Sequence, residues 1–203
     1  MSFFGEFVKN PRSIGAIAPS GVSLAEKMVQ PIDFETAELI VEYGPGTGVF
    51  TKELISRRRP ETVVVLIEFN KKFCRNLKKI FRFQPNMHIV NGSAENVVRI
   101  LKKLGLGTPD YIISGLPFTS LPEDLSHNIL TATSEVIGDK GQFITFQYSM
   151  VKKKMFLKYL KLVSVIRVMK NLPPAYVLTM KNDTLGIEAE TTEEITEENL
   201  AEE

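Results

Sequence analysis

The stretch "VEYGPGTGVF", Val41 to Phe50, decides how the chain is read. Gly44, Gly46 and Gly48 alternate with Pro45 and Thr47, and Glu42 stands just before them. The apolar run "AELIVEY" (37–43) stops at the first glycine, and "VFTKELISRR" (49–58) follows with helical spacing. A strand, a bare glycine turn and a helix therefore succeed one another. Glycines in such a turn let a ligand approach the backbone, and the helix N-terminus adds partial positive charge.

The pattern repeats along the chain. "TVVVLIE" (62–68), "MHIVNG" (87–92), "DYIISG" (110–115) and "GQFITFQYS" (141–149) read as strands. Helical patterns lie between them at 70–82, 94–105 and 123–137, with Phe73, Leu77, Ile80 and Phe81 on one face of the first. Two later β-like runs, 162–169 and 175–180, are expected to pair as a hairpin across "KNLPP". The expectation is an α/β, Rossmann-like, doubly wound sheet of seven strands, mostly parallel, with helices on both faces. Ligands of such sheets bind beyond the carboxyl ends of the strands.

Composition narrows the class. The 203 residues are 43% hydrophobic and 24% charged, enough for one ordinary domain with a core. The expected organisation is an amphipathic segment over 1–20, a catalytic domain over 21–183 and an acidic, disordered tail over 184–203. One cysteine, Cys74, excludes an internal disulfide and a Cys-based zinc cluster, and two histidines argue against any metal site. Cysteine usage fits a reducing cytoplasm. No apolar run reaches the roughly 18 residues of a spanning helix. Nothing in the sequence calls for an obligate protein partner.

The net charge of +1 conceals an asymmetry. Eight glutamates and no basic residue fall between Glu188 and Glu203, so the body carries 25 basic and 16 acidic residues, about +9. A basic body suits an anionic partner, either a lipid surface or a nucleic acid. Phe3, Phe4, Phe7 and Val8 beside Lys9 and Arg12 suit an interfacial helix on anionic lipid. "VKKKMFLKYLK" (151–161) interleaves lysines with apolar residues and suits lipid headgroups and RNA phosphates equally.

The glycine turn itself selects a nucleotide-like cofactor. Its spacing departs from the dinucleotide fingerprint G-x-G-x-x-G, because the third glycine falls one residue early. Glu68 ends the second strand 20 residues after Gly48, where a carboxylate meets ribose hydroxyls. "EYGPGTG" resembles the E/D-x-G-x-G-x-G motif of class I S-adenosylmethionine (SAM)-dependent methyltransferases. The resemblance implies that Gly44, Gly46 and Gly48 pass close under SAM and that Glu42 faces its methionine end. It further implies that Glu68 holds the ribose, Phe69 lies against the adenine, and Ser93 and Ala94 border the adenine amine.

Two sub-families share this resemblance. "SGLPF" (114–118) is similar to the Asn-Leu-Pro-Tyr loop of ribosomal RNA adenine dimethylases, but Gly115 stands where they carry Asn. "FVKNPRSIGAIAPSG" (7–21), "SGLPFTSLP" (114–122) and "NLPPAYV" (171–177) resemble bacterial phospholipid N-methyltransferases. The expected activity is N-methylation of phosphatidylethanolamine and its methylated derivatives, by a cytoplasmic enzyme peripheral to the inner membrane. The alternative is methylation of adenine N6 in ribosomal RNA. Repeated methylation needs a pocket for a growing methylammonium, which aromatic faces supply. Tyr148, Phe118 and Tyr176 are the aromatic candidates, and Ser114 is a candidate to orient a substrate.

Overall fold

The computed structural model describes residues 19–169 and 173–182. The Phe-rich N-terminal segment through residue 18 and the acidic tail lie outside the described residues. Helix α1 spans Pro19–Val29. Strand β1 (Leu39–Tyr43), helix α2 (Val49–Arg57), β2 (Val63–Glu68), α3 (Lys71–Ile80) and β3 (Met87–Asn91) follow. A single 3₁₀ turn, Ala94–Asn96, opens α4 (Val97–Leu104). Then come β4 (Tyr111–Ser114), α5 (Glu123–Val136), β5 (Gln142–Gln147), a one-turn α6 (Lys153–Phe156), β6 (Leu160–Val168) and β7 (Ala175–Asn182).

All seven strands join one sheet in the order β3-β2-β1-β4-β5-β7-β6. Strands β1 to β5 are parallel, and β7 lies antiparallel between β5 and β6. The expected terminal hairpin is present. Strand β6 begins two residues earlier than its apolar run and carries an irregularity at Leu162/Ser164. A bulge of this kind breaks strict alternation, so the pattern is legible only beyond it.

Burial explains why β1 reads as a continuous apolar run. All five of its residues are buried, because helices cover both faces of the sheet. On one face α1, α2, α3 and the residue capping α3 contribute Leu24, Met28, Leu54, Leu77 and Phe81. On the other α4, α5 and α6 contribute Val97, Leu101, Ile129, Leu130 and Phe156. The chain leaves β1 toward β2 on one side and returns after β3 to β4 on the other. The crevice between β1 and β4 is thus the switch point, and the glycine turn sits at its mouth.

Candidate cofactor and acceptor site

Gly44, Gly46 and Gly48 all adopt positive φ, at 61°, 57° and 82°. Side chains resist that conformation, which explains the residue choice. The three glycines differ in what surrounds them. A Cβ on Gly44 would meet Leu116 Cδ2 at 2.7 Å, and one on Gly48 would meet Leu77 and Phe81 at 3.0 and 3.1 Å. A Cβ on Gly46 would meet nothing nearer than the Gly44 carbonyl at 4.0 Å. Gly44 and Gly48 are therefore needed for packing, whereas Gly46 faces open space.

Two acidic residues lie beneath this turn. Glu68 is 6% exposed and accepts the Gly46 N–H at 3.0 Å and the Asn70 N–H at 2.7 Å. Burial raises its pKa, against the lowering effect of those two bonds. Glu42 is fully buried, and its Oε2 accepts from Thr51 Oγ1 at 2.7 Å. Its Oε1 has no partner among the described residues. Burial pushes Glu42 up to about 8, the Thr51 bond opposes this, and the neighbouring Glu68 charge adds to the rise. Two desolvated carboxylates and an orphaned acceptor suit a ligand that carries positive charge and donates hydrogen bonds.

An open depression of about 400 Å³ adjoins the turn, lined by Phe69, Asn70, Lys71, Asn91 and Gly92. Phe69 is 51% exposed there and presents an aromatic surface to the depression. Asn91 Nδ2 donates to the Glu68 and Phe69 carbonyls at 2.8 and 2.9 Å, fixing the backbone that carries both residues. Ser93 is half-buried and Ala94 buried just beyond this depression in sequence. Asn91 and Thr51 were not anticipated. An amide at a strand end and a hydroxyl in the first helical turn would have marked them.

The acceptor side is organised differently from expectation. Phe118 is fully buried, edge-on to Phe156 at 5.0 Å and to Phe143 at 6.4 Å. It is a core residue, because the loop after β4 folds inward under α6. Ser114 is also fully buried, and its Oγ accepts the Leu116 N–H at 3.3 Å, which closes the turn after β4. Tyr148 is 37% exposed at the end of β5. Its ring lies 5.4 Å from Phe146, which in turn contacts Phe50 at 5.8 Å in the first turn of α2. The structure thus gathers an aromatic cluster, Phe50–Phe146–Tyr148, near the glycine turn.

A glycine turn at the switch point, a strand-end carboxylate and an exposed ring beside it define a class I SAM-dependent methyltransferase. The sequence model of the ribosomal RNA adenine dimethylase family matches residues 22–155, and the chain belongs to that family. SAM is its cofactor. The ornithine lipid N-methyltransferase of Singulisphaera acidiphila is 31% identical over 175 residues, covering 85% of this chain and 91% of that protein. Ribosomal RNA small subunit methyltransferase A of Dehalococcoides mccartyi strain 195 is 30% identical over 97 residues. That match covers 45% of this chain and only 30% of the methyltransferase. Among solved structures, mitomycin 7-O-methyltransferase MmcR has a TM-score of 0.68 at 11% identity, over 90% of this chain and 61% of its own. A SAM-dependent methyltransferase from Aquifex aeolicus has a TM-score of 0.65 at 14% identity, over 80% of this chain and 93% of its own. At such identities these structures bear on the fold alone.

Among the described residues no helix is long and apolar enough to cross a membrane, and no group of His, Cys, Asp and Glu could hold a metal ion.

Proposed function

We propose that this chain is a SAM-dependent N-methyltransferase that acts on the amine of a membrane-lipid headgroup. Phosphatidylethanolamine and its methylated derivatives are the acceptors the sequence suggests, and ornithine lipid is the acceptor named for the S. acidiphila relative. The observation that carries the reading is the reach of that similarity. It runs through 91% of the lipid methyltransferase, whereas the similarity to the RNA enzyme stops at 30% of its length. Gly115 adds support. The RNA enzymes carry Asn at that position, and here a Cβ would already meet the Gly44 carbonyl at 3.0 Å.

Bound SAM supplies a methyl group activated by a sulfonium. The residues then divide the remaining work. Gly44, Gly46 and Gly48 leave room for the cofactor, Glu68 takes the ribose hydroxyls, and Phe69 covers the adenine, bordered by Ser93 and Ala94. Glu42 offers its free oxygen to the amino-acid end. An amine must lose its proton before it attacks, and desolvation favours the neutral form. Tyr148, at the ligand end of the sheet, offers an aromatic face to the methylammonium that grows with each transfer. Ser114 holds the loop that leads to the acceptor, as a positioning residue.

A surface suited to lipid surrounds this mouth. Val151 is 82% and Met169 62% exposed, and both follow strands that end at the carboxyl edge. Lys152, Lys153 and Lys154 lie beside Val151. Apolar side chains flanked by lysines suit the interface of an anionic bilayer. Such a surface supports a peripheral position at an anionic membrane, and the cysteine usage supports its cytoplasmic side.

The test is methyl transfer from labelled SAM with three acceptors in parallel: phosphatidylethanolamine vesicles, ornithine lipid vesicles and total RNA. Label in either lipid supports the reading and names the headgroup. Label in RNA alone overturns it in favour of adenine methylation.

A further inference from the structure

One row of side chains at the carboxyl edge has no part in the cofactor site. Gln147 on β5 pairs in register with Tyr176 on β7, and Tyr176 pairs with Arg167 on β6. Residues directly opposed across antiparallel strands share a face. The three therefore form a line across β5-β7-β6, on the same side as Ser114 and Thr145. Strand spacing places Arg167 and Gln147 about 10 Å apart, with Tyr176 between them.

Two of the three are under-used by the protein itself. Gln147 is 3% exposed, yet its Nε2 has no hydrogen-bond partner among the described residues. An unsatisfied buried donor is destabilising, so its retention calls for a ligand. The Arg167 guanidinium lies over the Tyr176 ring, 5.9 Å from its centre. Arg167 is exposed, and among the described residues no carboxylate pairs with it. A guanidinium laid on an aromatic ring keeps its planar fork of donors pre-organised for an oxyanion.

We propose that Gln147, Tyr176 and Arg167 form a subsite for the anionic group of the methyl acceptor. The proposal rests on the lipid-amine reading above. In both candidate acceptors the headgroup amine is accompanied by an anion, a phosphate in phosphatidylethanolamine and a carboxylate in ornithine lipid. Arg167 takes that oxyanion from the exposed side, and Gln147 Nε2 donates to it from the buried side. Tyr176 spaces the two. The subsite fixes the distance from anion to amine, and so selects headgroups by that distance.

The test uses the full chain and water-soluble acceptors, so that membrane binding does not enter. Dihexanoyl phosphatidylethanolamine, a short-chain ornithine lipid and an uncharged methyl phosphotriester of the former are compared by kcat/KM. The wild type is expected to prefer an anionic acceptor over the phosphotriester by roughly 10- to 100-fold, the scale of a charge-assisted hydrogen bond. R167A is expected to abolish that preference while leaving the phosphotriester rate and SAM affinity unchanged. R167K is expected to restore part of it. Q147L is expected to reduce the preference with an unchanged or raised Tm, since a buried orphan donor is removed. The acceptor that R167A affects more identifies the anion as phosphate or carboxylate. Equal loss on charged and uncharged acceptors in R167A, or no loss at all, overturns the subsite. Failure of the wild type to methylate any lipid amine, with RNA methylated instead, overturns the lipid reading and the subsite with it.

Discussion

Glu68 Oε2 accepts the Gly46 N–H at 3.0 Å, which ties the tip of the second strand to the middle of the glycine turn. Its other oxygen holds the Asn70 N–H at 2.7 Å, at the start of α3. Each carboxylate oxygen keeps a lone pair for a further donor. One side chain thus shapes the turn and keeps acceptors for a further donor, the ribose hydroxyls in the proposed cofactor mode. Glu68→Ala should weaken SAM binding at least tenfold, since charge-assisted bonds contribute about 1.5–3 kcal/mol each. Calorimetric titration with SAM measures this. Unchanged affinity would remove Glu68 from the cofactor site.

The three glycines should separate stability from binding. Gly48→Ala drives a methyl toward Leu77 and Phe81 and should lower stability by about 2 kcal/mol or more, from strain at positive φ plus crowding. Gly46→Ala has open space and incurs only the φ strain, about 1–2 kcal/mol. It should nonetheless abolish most SAM binding, because its methyl enters the open space proposed for the cofactor. Urea unfolding and SAM titration of both variants give the comparison. A Gly46→Ala protein that binds SAM normally would place the cofactor elsewhere.

Glu42 predicts a pH dependence with a definite sign. In the unfolded chain its carboxyl releases its proton near 4.5, but in the folded protein burial holds that proton to about 8. Between those values the folded state binds more protons, so stability falls as pH rises. The wild type should therefore lose stability relative to Glu42→Gln between about pH 4.5 and 8, by a few kcal/mol in total at ~1.4 kcal/mol per pKa unit. Below pH 4.5 the difference should be constant. Affinity for the cationic cofactor should rise over the same interval in the wild type and stay flat in Glu42→Gln. Parallel stability curves for the two proteins would show that Glu42 titrates normally.

Gly115 offers a sharper test of acceptor class. Restoring the Asn of the RNA enzymes introduces a Cβ at 3.0 Å from the Gly44 carbonyl, so the glycine turn must shift by a few tenths of an ångström. Gly115→Asn should weaken SAM binding several-fold and slow lipid methylation without creating RNA methylation. Gain of activity on RNA would mean that a single side chain separates the two acceptor classes.

Much of this was legible before any coordinates, and the reason is periodicity. Strands β1 to β5 are short apolar runs closed by glycine or polar residues, and the central β1, β2 and β4, buried on both faces, cannot look otherwise. The glycine turn and Glu68 are legible because φ and ligand chemistry constrain single residues there. Phe118 and Ser114 were not, because their burial depends on α6 crossing back over the loop after β4, and one helical turn leaves little periodic trace. Gln147 was hidden for a similar reason. A glutamine at a strand end reads as solvated until the neighbouring β7 is known to lie beside it.

Phe118 and Tyr148, two of the aromatic candidates of the sequence, should part company on mutation. Phe118 packs between Phe143 and Phe156 with no exposed surface. Phe118→Ala opens a cavity and should destabilise the fold by about 3–5 kcal/mol. Phe118→Leu refills most of that volume and should recover most activity, since the ring touches only core. Tyr148 contacts Phe146 on one side and is 37% exposed on the other, so Tyr148→Ala should leave Tm within a few degrees. Its cost should instead grow with each methyl added, because cation–π attraction acts only on the charged amine between transfers. Thermal melts and the ratio of mono- to trimethylated product separate the two residues. A Tyr148→Ala enzyme with an unchanged product ratio would assign the methylammonium to another aromatic face, and the Phe146 ring lies 5.4 Å away.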